Sequence, residues 1–349
     1  MRRLWFVDNL RILLTALVVL HHVAATYSGL PAWYYTEQPT SGITGLLLTV
    51  FMLVNQAWFM GAFFLLSGHF TPGSYDRKGP RAFLCDRLIR LGIPLVVFYF
   101  VLNPILYLGT GHGGYLDTIG SGPLWFVLAL LVFDGAYAAF RLAKPQVRQR
   151  DPRPLTFRAV IGFVPVLALV TFALRTVIPI GFTVPVVDFP TSAYLPQYAG
   201  LFVLGTLAYR RGWFHAVTAR MGWAGLGLAV GATLVFLPLA LAGGGDAWLG
   251  HGTLSSLFYA LWDSTFAVGL VLALLALFRA KLNTQWRLAD RAFAVYVLHA
   301  FVVTAAGHAL AVVDLSTHVK FALASLVVLP VCFLLAGLIR RIPGVRRVL

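Results

Sequence analysis

What most limits the fold of this chain is a succession of long apolar stretches, near residues 10–28, 46–68, 88–108, 123–142, 157–180, 194–210, 222–242, 253–278, 290–313 and 319–341. Most match the roughly 20 residues that a helix needs to cross the hydrocarbon core of a bilayer. Composition points the same way: 59% of the 349 residues are hydrophobic and only 11% are charged, well below the charge content of a soluble domain. The expected fold class is all-α, a polytopic membrane protein with about ten transmembrane helices and both termini on one side. The stretch at 194–210 is short and opens with "YLPQY", and the one at 157–180 carries Pro165, Pro179 and Arg175.

The distribution of Lys and Arg names that side. Of the 27 basic residues, only Arg175 and Lys320 fall in or beside segments facing the other way. The remainder cluster in loops such as "DRKGPRAFLCDRLIR", "RLAKPQVRQRDPRPLTFR", "YRRGWFHAVTAR" and "RRIPGVRR". By the positive-inside rule this face, with both termini, is cytoplasmic. The net charge of +15 is thus a topology signal and a site for anionic headgroups; it does not point to nucleic acid. The basic start resembles a signal peptide, but Asp8, Arg11 and two histidines interrupt the apolar run and the chain goes on spanning, so an uncleaved first helix is expected. Cys85 and Cys332 fall in a loop and in the last span, which leaves no disulfide framework. Without repeats, low-complexity segments or a soluble module, residues 1–349 read as a single integral membrane domain in the cell (inner or plasma) membrane. Oligomeric state is not legible.

Into the first span, "DNLRILLTALVVLHH", the chain sets one arginine and two histidines. Arg11 and His22 are eleven residues apart, within about 20° of a whole number of helical turns, so they share a face, roughly 16 Å apart along the axis. His21 points about 100° away from His22. Polar groups at this depth are costly and by default line a protein interior or a wet cavity. A neutral His22 suits a general base toward a hydroxyl, and Arg11 at the cytoplasmic mouth suits a phosphate-bearing donor. The structural alternative is that the histidines make interhelical hydrogen bonds while Arg11 snorkels. "HHVAATY" has Thr26 where the HHxxxD motif of soluble CoA acyltransferases requires aspartate. There is no GxxxxGK[ST] phosphate loop, no GxSxG elbow and no Cys/His cluster with zinc spacing, so no metal is expected.

Arg-x10-His in the first helix, followed by "AFFLLSGHF", "FLCDRLIRLGIPL", "GPLWFVLALLVFD" and "YVLHAFVV" in this order, resembles the acyltransferase 3 family of membrane acyltransferases over essentially the whole chain. "RKGPRAFLCDRLIRLGIPL" is most similar to the branch that succinylates periplasmic glucans. The resemblance implies an O-acyltransferase that moves an acetyl- or succinyl-class group from cytoplasmic acyl-CoA to a hydroxyl of a glycan or similar acceptor. In it His22 is the catalytic histidine and Arg11 its partner on the donor side, and Arg87 and Arg90 lie near the CoA phosphates. Ser67 and Gly68 would let a ligand approach the backbone, although packing is the ordinary use of Gly in a membrane helix. Trp125 would stack a sugar or steer an acyl chain, Tyr296 and His299 share a face at mid-depth, and Asp263 is a candidate for orienting a histidine. Asn55, Gln56 and Trp58 are further candidate lining residues, and Glu37 lies in a loop that an acceptor could meet. A multi-span transporter, or an exporter of a polysaccharide precursor working through intramembrane His and Asp residues, is the rival reading.

Overall fold

The computed structural model describes residues 4–31, 33–111, 114–144, 155–286 and 288–349. Arg2, Arg3, Arg287 and the middle of the basic loop around Gln149 lie outside the described residues. The helices that matter below are α1 (Trp5–Tyr27), α2 (Gly42–Gln56), α3 (Phe59–Lys78), α4 (Pro80–Leu106), α5 (Trp125–Ala143), α6 (Phe157–Arg175), α7 (Leu195–Arg211), α8 (Ala219–Leu241), α9 (Leu254–Lys281), α10 (Ala292–Ala311) and α11 (Thr317–Ile339). No β-strand occurs among the described residues, only an isolated bridge between Val184 and Phe189. Nine helical segments among them are long and apolar enough to cross a membrane, and the chain is a multi-pass integral membrane protein. The expected span at 194–210 is α7, a helix of 17 residues, short of the ~20 that a full crossing takes.

Local chemistry sets the helix ends. Thr156, Thr218 and Thr253 cap α6, α8 and α9, each hydroxyl accepting from the amide three residues on, which satisfies a donor the first turn leaves open. The apolar run from 42 to 78 breaks at Ala57–Trp58 into α2 and α3, and the Gln197 amide donates to the Ala57 carbonyl at 2.8 Å, giving the break a partner. In α4, Pro94 and Pro104 each remove a helical donor. Wider π turns span Leu88–Gly92 and Phe98–Leu102. The Phe100 carbonyl, four residues before Pro104, accepts from the Tyr115 hydroxyl at 2.7 Å instead.

Two compact units arise, each from three segments: residues 1–10, 57–87 and 129–285 in the first, and 11–56, 88–128 and 286–349 in the second. Neither is contiguous, so the chain does not divide into successive domains. In the first unit, helices meet through glycine. A side chain on Gly68 would strike the Phe202 carbonyl, and one on Gly205 the Leu65 carbonyl, locking α3 against α7. Gly225 and Gly269 stand in the same relation between α8 and α9. With lipid as apolar as any side chain, helix association rests on such close packing. The second unit is built differently, around a ridge on α11: Ala324, Val328, Cys332 and Ala336 recur every fourth residue and pack with Val19, Val23 and Tyr27 of α1 and Val295 and Val303 of α10. Leu323, Leu326, Val327 and Leu334 on the remaining faces of α11 are exposed, as a lipid-facing surface should be.

The two basic residues expected off the arginine-rich side both find carboxylates. Arg175 donates to Asp263 at 2.6 Å, and Lys320 to Glu37 at 2.7 Å. The Lys320–Glu37 bond, the Glu37 amide to the Thr26 carbonyl (2.7 Å), and the Thr40–Thr317 hydrogen bonds tie the loop after α1 down onto α1 and α11. That anchoring positions the aromatic residues of the loop.

Candidate functional site

The site grows from α1 and α10 of the second unit. His299 is fully buried, and its Nδ1 lies 2.6 Å from the Tyr296 carbonyl one turn earlier. A carbonyl oxygen only accepts, so Nδ1 of His299 carries the proton. Its Nε2, in the neutral ring, is then an acceptor, and it lies 3.0 Å from Nδ1 of His22. His22 therefore donates from Nδ1 and keeps Nε2 bare, the tautomer a general base requires. Buried His299 orients the ring; partly exposed His22 offers the lone pair.

Trp33, from the anchored loop, stacks on His22 with centroids 4.0 Å apart and planes at 28°. It also lies 5.9 Å from the His299 ring. One face of the His22 imidazole is thus closed to water. Beside Trp33, the Tyr34 hydroxyl donates to Asn103 Oδ1 at 2.5 Å, and the Asn103 amide donates to the Thr118 carbonyl at 2.7 Å. Gly122 passes so close to Tyr34 and Asn103 that any side chain there would collide with them. Tyr35 donates to Glu37 at 3.4 Å, and burial, reinforced by the Glu37 carboxylate, raises its phenol above the ordinary value, holding it as a neutral donor.

Tyr296 donates through its hydroxyl to the Pro123 carbonyl, which brings the start of α5 against α10. Its ring meets Phe126 edge-on at 5.9 Å. Trp125, buried rather than sitting in an interfacial belt, packs edge-on against Phe126. Arg11, on α1 with His22, donates to the Ala289 carbonyl at 3.4 Å, at the turn that opens α10. Asn55 donates to the Leu17 carbonyl at 3.3 Å and thereby holds α2 to α1.

The structure does not bring every expected residue to this cluster. Asp263 is spent on an arginine, not a histidine: it lies within the first unit, its carboxylate accepting from Arg175 and Ser264, with the Arg175 guanidinium over the rings of Tyr194 and Tyr259. Arg87 is likewise committed, its Nε 2.9 Å from Asp134, whose other oxygen accepts from Thr71 at 2.8 Å. The π turn from Leu88 takes Arg90 off the α-helical phase expected to align it with Arg87, and Arg90 is exposed in the second unit. Ser67 lies in the first unit, its carbonyl accepting from Thr71, and its neighbour Gly68 is a packing residue. Trp58 is buried in the first unit.

Trp33, Tyr34 and Asn103 are the residues that sequence reasoning missed. The available signal was the aromatic run "WYY" in an otherwise polar loop directly after the histidine-bearing helix.

A family model described as an acyltransferase domain matches residues 4–337. Proteins named glucans biosynthesis protein C from Salmonella paratyphi B, Salmonella agona and Salmonella dublin are each 25% identical over 275 residues, covering 71% of this chain and 69% of the relative.

Proposed function

Since the chain belongs to the acyltransferase 3 family of membrane acyltransferases, we propose that it transfers an acetyl- or succinyl-class group from cytoplasmic acyl-CoA to a hydroxyl of a glycan or similar acceptor, with His22 as general base. The observation that supports this reading is the hydrogen-bonded series Tyr296 carbonyl, His299, His22, which leaves an unprotonated nitrogen on a partly exposed ring. The names of the relatives favour a glucan-type acceptor.

In this reaction His22 Nε2 takes the proton as the acceptor oxygen attacks the thioester carbonyl. The new C–O bond forms, the C–S bond breaks, and the departing thiolate recovers the proton. The imidazolium that forms on His22 already donates from Nδ1 to His299, so its charge meets a placed acceptor without solvent rearrangement. His299 is thus a positioning residue, and Trp33 holds the ring in plane. Arg11, about 16 Å along α1 toward the cytoplasmic end, serves the phosphate end of the donor.

The test is transfer of radiolabelled acetyl or succinyl from CoA by purified protein. His22→Gln keeps a hydrogen-bonding group yet cannot take up a proton, so the rate should fall by ~10²- to 10⁴-fold. Near-wild-type transfer by His22→Gln would end the general-base assignment.

A further inference from the structure

The arginines that follow α11 do not scatter over the surface; they converge on one open cavity of about 860 Å³. Its lining carries Arg291, Arg340, Arg341, Arg346 and Arg347 against one carboxylate, Asp290. Topology alone asks only that basic residues lie on this side of the membrane; it does not ask that five of them share a cavity of a size that suits a cofactor. Two are also fixed in place before any ligand arrives. Arg291 donates to the Phe333 carbonyl at 3.3 Å, with its guanidinium lying over the backbone of Gly337. Arg340 donates to the Asp290 carbonyl, and its Nε is buried without a hydrogen-bond partner. Crowded guanidinium groups repel one another, and the matching ligand is one that presents several anionic oxygens to planar forks.

We propose that this cavity binds a ligand bearing more than one phosphate oxygen cluster, through Arg340, Arg346 and Arg347 in particular. The turn at 289–291 connects it to the site described above: Arg11 contacts the Ala289 carbonyl on that turn, and Asp290 and Arg291 line the cavity. A ligand seated there sits on the same turn that Arg11, on the helix carrying His22, contacts. Two sources supply such chemistry, the nucleotide end of a CoA thioester and the headgroup of an anionic lipid. The first deepens the acyltransfer reading and rests on it; the second does not.

The experiment uses the full chain in phosphatidylcholine nanodiscs, with adenosine 3′,5′-bisphosphate as the probe for the nucleotide end and phosphatidylglycerol as the probe for a headgroup. Arg346 and Arg347 are exposed, so replacing them should leave the fold intact. The Arg346→Gln/Arg347→Gln double variant is expected to bind the bisphosphate about tenfold or more weakly, the loss attending one charge-assisted hydrogen bond. The Arg346→Lys/Arg347→Lys variant should recover part of the affinity, because charge is kept while the fork is lost. If the bisphosphate does not bind but phosphatidylglycerol does, and only the Gln variant loses it, the phosphate site stands with a lipid as its source. Equal binding of both probes to wild type and the Gln variant, or no binding of either to wild type, overturns the proposal. His22→Gln separates this from the acyltransfer reading, since it should bind the bisphosphate as wild type does while losing transfer.

Discussion

Each unit buries a polar pair, and the two pairs are used in opposite ways. In the first, Arg175 and Asp263 meet at 2.6 Å from 88 residues apart, both essentially without exposure, with tyrosine rings around the guanidinium. In the second, His22 and His299 meet at 3.0 Å from 277 residues apart, one fully buried and the other partly exposed. The ion pair has its charges matched inside the protein, and a closed pair of this kind holds helices together. The histidine pair, with both rings neutral, leaves one lone pair over. Polar groups in lipid are expensive, and the difference between the pairs is that one matches charge with charge while the other leaves a ring nitrogen with no proton to donate.

That contrast breaks first if the two pairs respond alike to substitution. His22→Gln should show the largest effect of all, the ~10²- to 10⁴-fold loss in rate, with a thermal midpoint in detergent close to wild type. Asp263→Ala should do the reverse. It strands a buried guanidinium, which costs about 3–5 kcal/mol of stability, while transfer per folded molecule stays near normal. Joint replacement, Arg175→Met with Asp263→Leu, should regain most of that stability, because an apolar pair of similar volume carries no desolvation cost. A thermal melt of the three proteins decides it; a double variant as unstable as Asp263→Ala would mean that the pair contributes more than charge neutralisation.

His299 sharpens the comparison. His299→Ala removes the group that accepts from His22 Nδ1 and should lower the rate by less than His22→Gln does, since the base itself is kept. His299→Gln, whose carbonyl can still accept from His22 Nδ1, should recover part of the loss and leave a pH–rate profile nearer to wild type. An unchanged profile and rate in His299→Ala would make the histidine contact incidental. Smallest is Trp33→Ala, where loss of one stacked ring should cost about 0.5–1.5 kcal/mol, read as roughly a two- to thirteenfold drop in kcat/KM. Trp33→Phe should restore much of it.

The helical membrane architecture was legible in the sequence because a spanning helix is a local object: about 20 apolar residues and an internal hydrogen-bond ladder specify it with no reference to the rest of the chain. The shared face of Arg11 and His22 was legible for the same reason, as helical phase depends only on spacing. The partners were not. Asp263 and Arg87 look from the sequence like candidate site residues, and the fold commits both to ion pairs with residues that no local rule could select. Spacing could align Arg87 with Arg90 only for an uninterrupted α-helix, and the π turn before Pro94 removed that condition.

By itself, then, the sequence determined an all-helical membrane protein with its arginines gathered in a few loops, and a histidine and an arginine at a spacing that puts them on one helix face. Only tertiary structure decided that His299 hydrogen-bonds His22, that a loop tryptophan stacks on its ring, and that the arginines after α11 share a cavity. The physical reason is that propensity and periodicity act within a few turns of chain. Which helices become neighbours depends on glycine-to-backbone contacts, proline-induced turns and ion pairs between segments far apart in sequence, and those neighbours settle which polar groups are spent and which remain available.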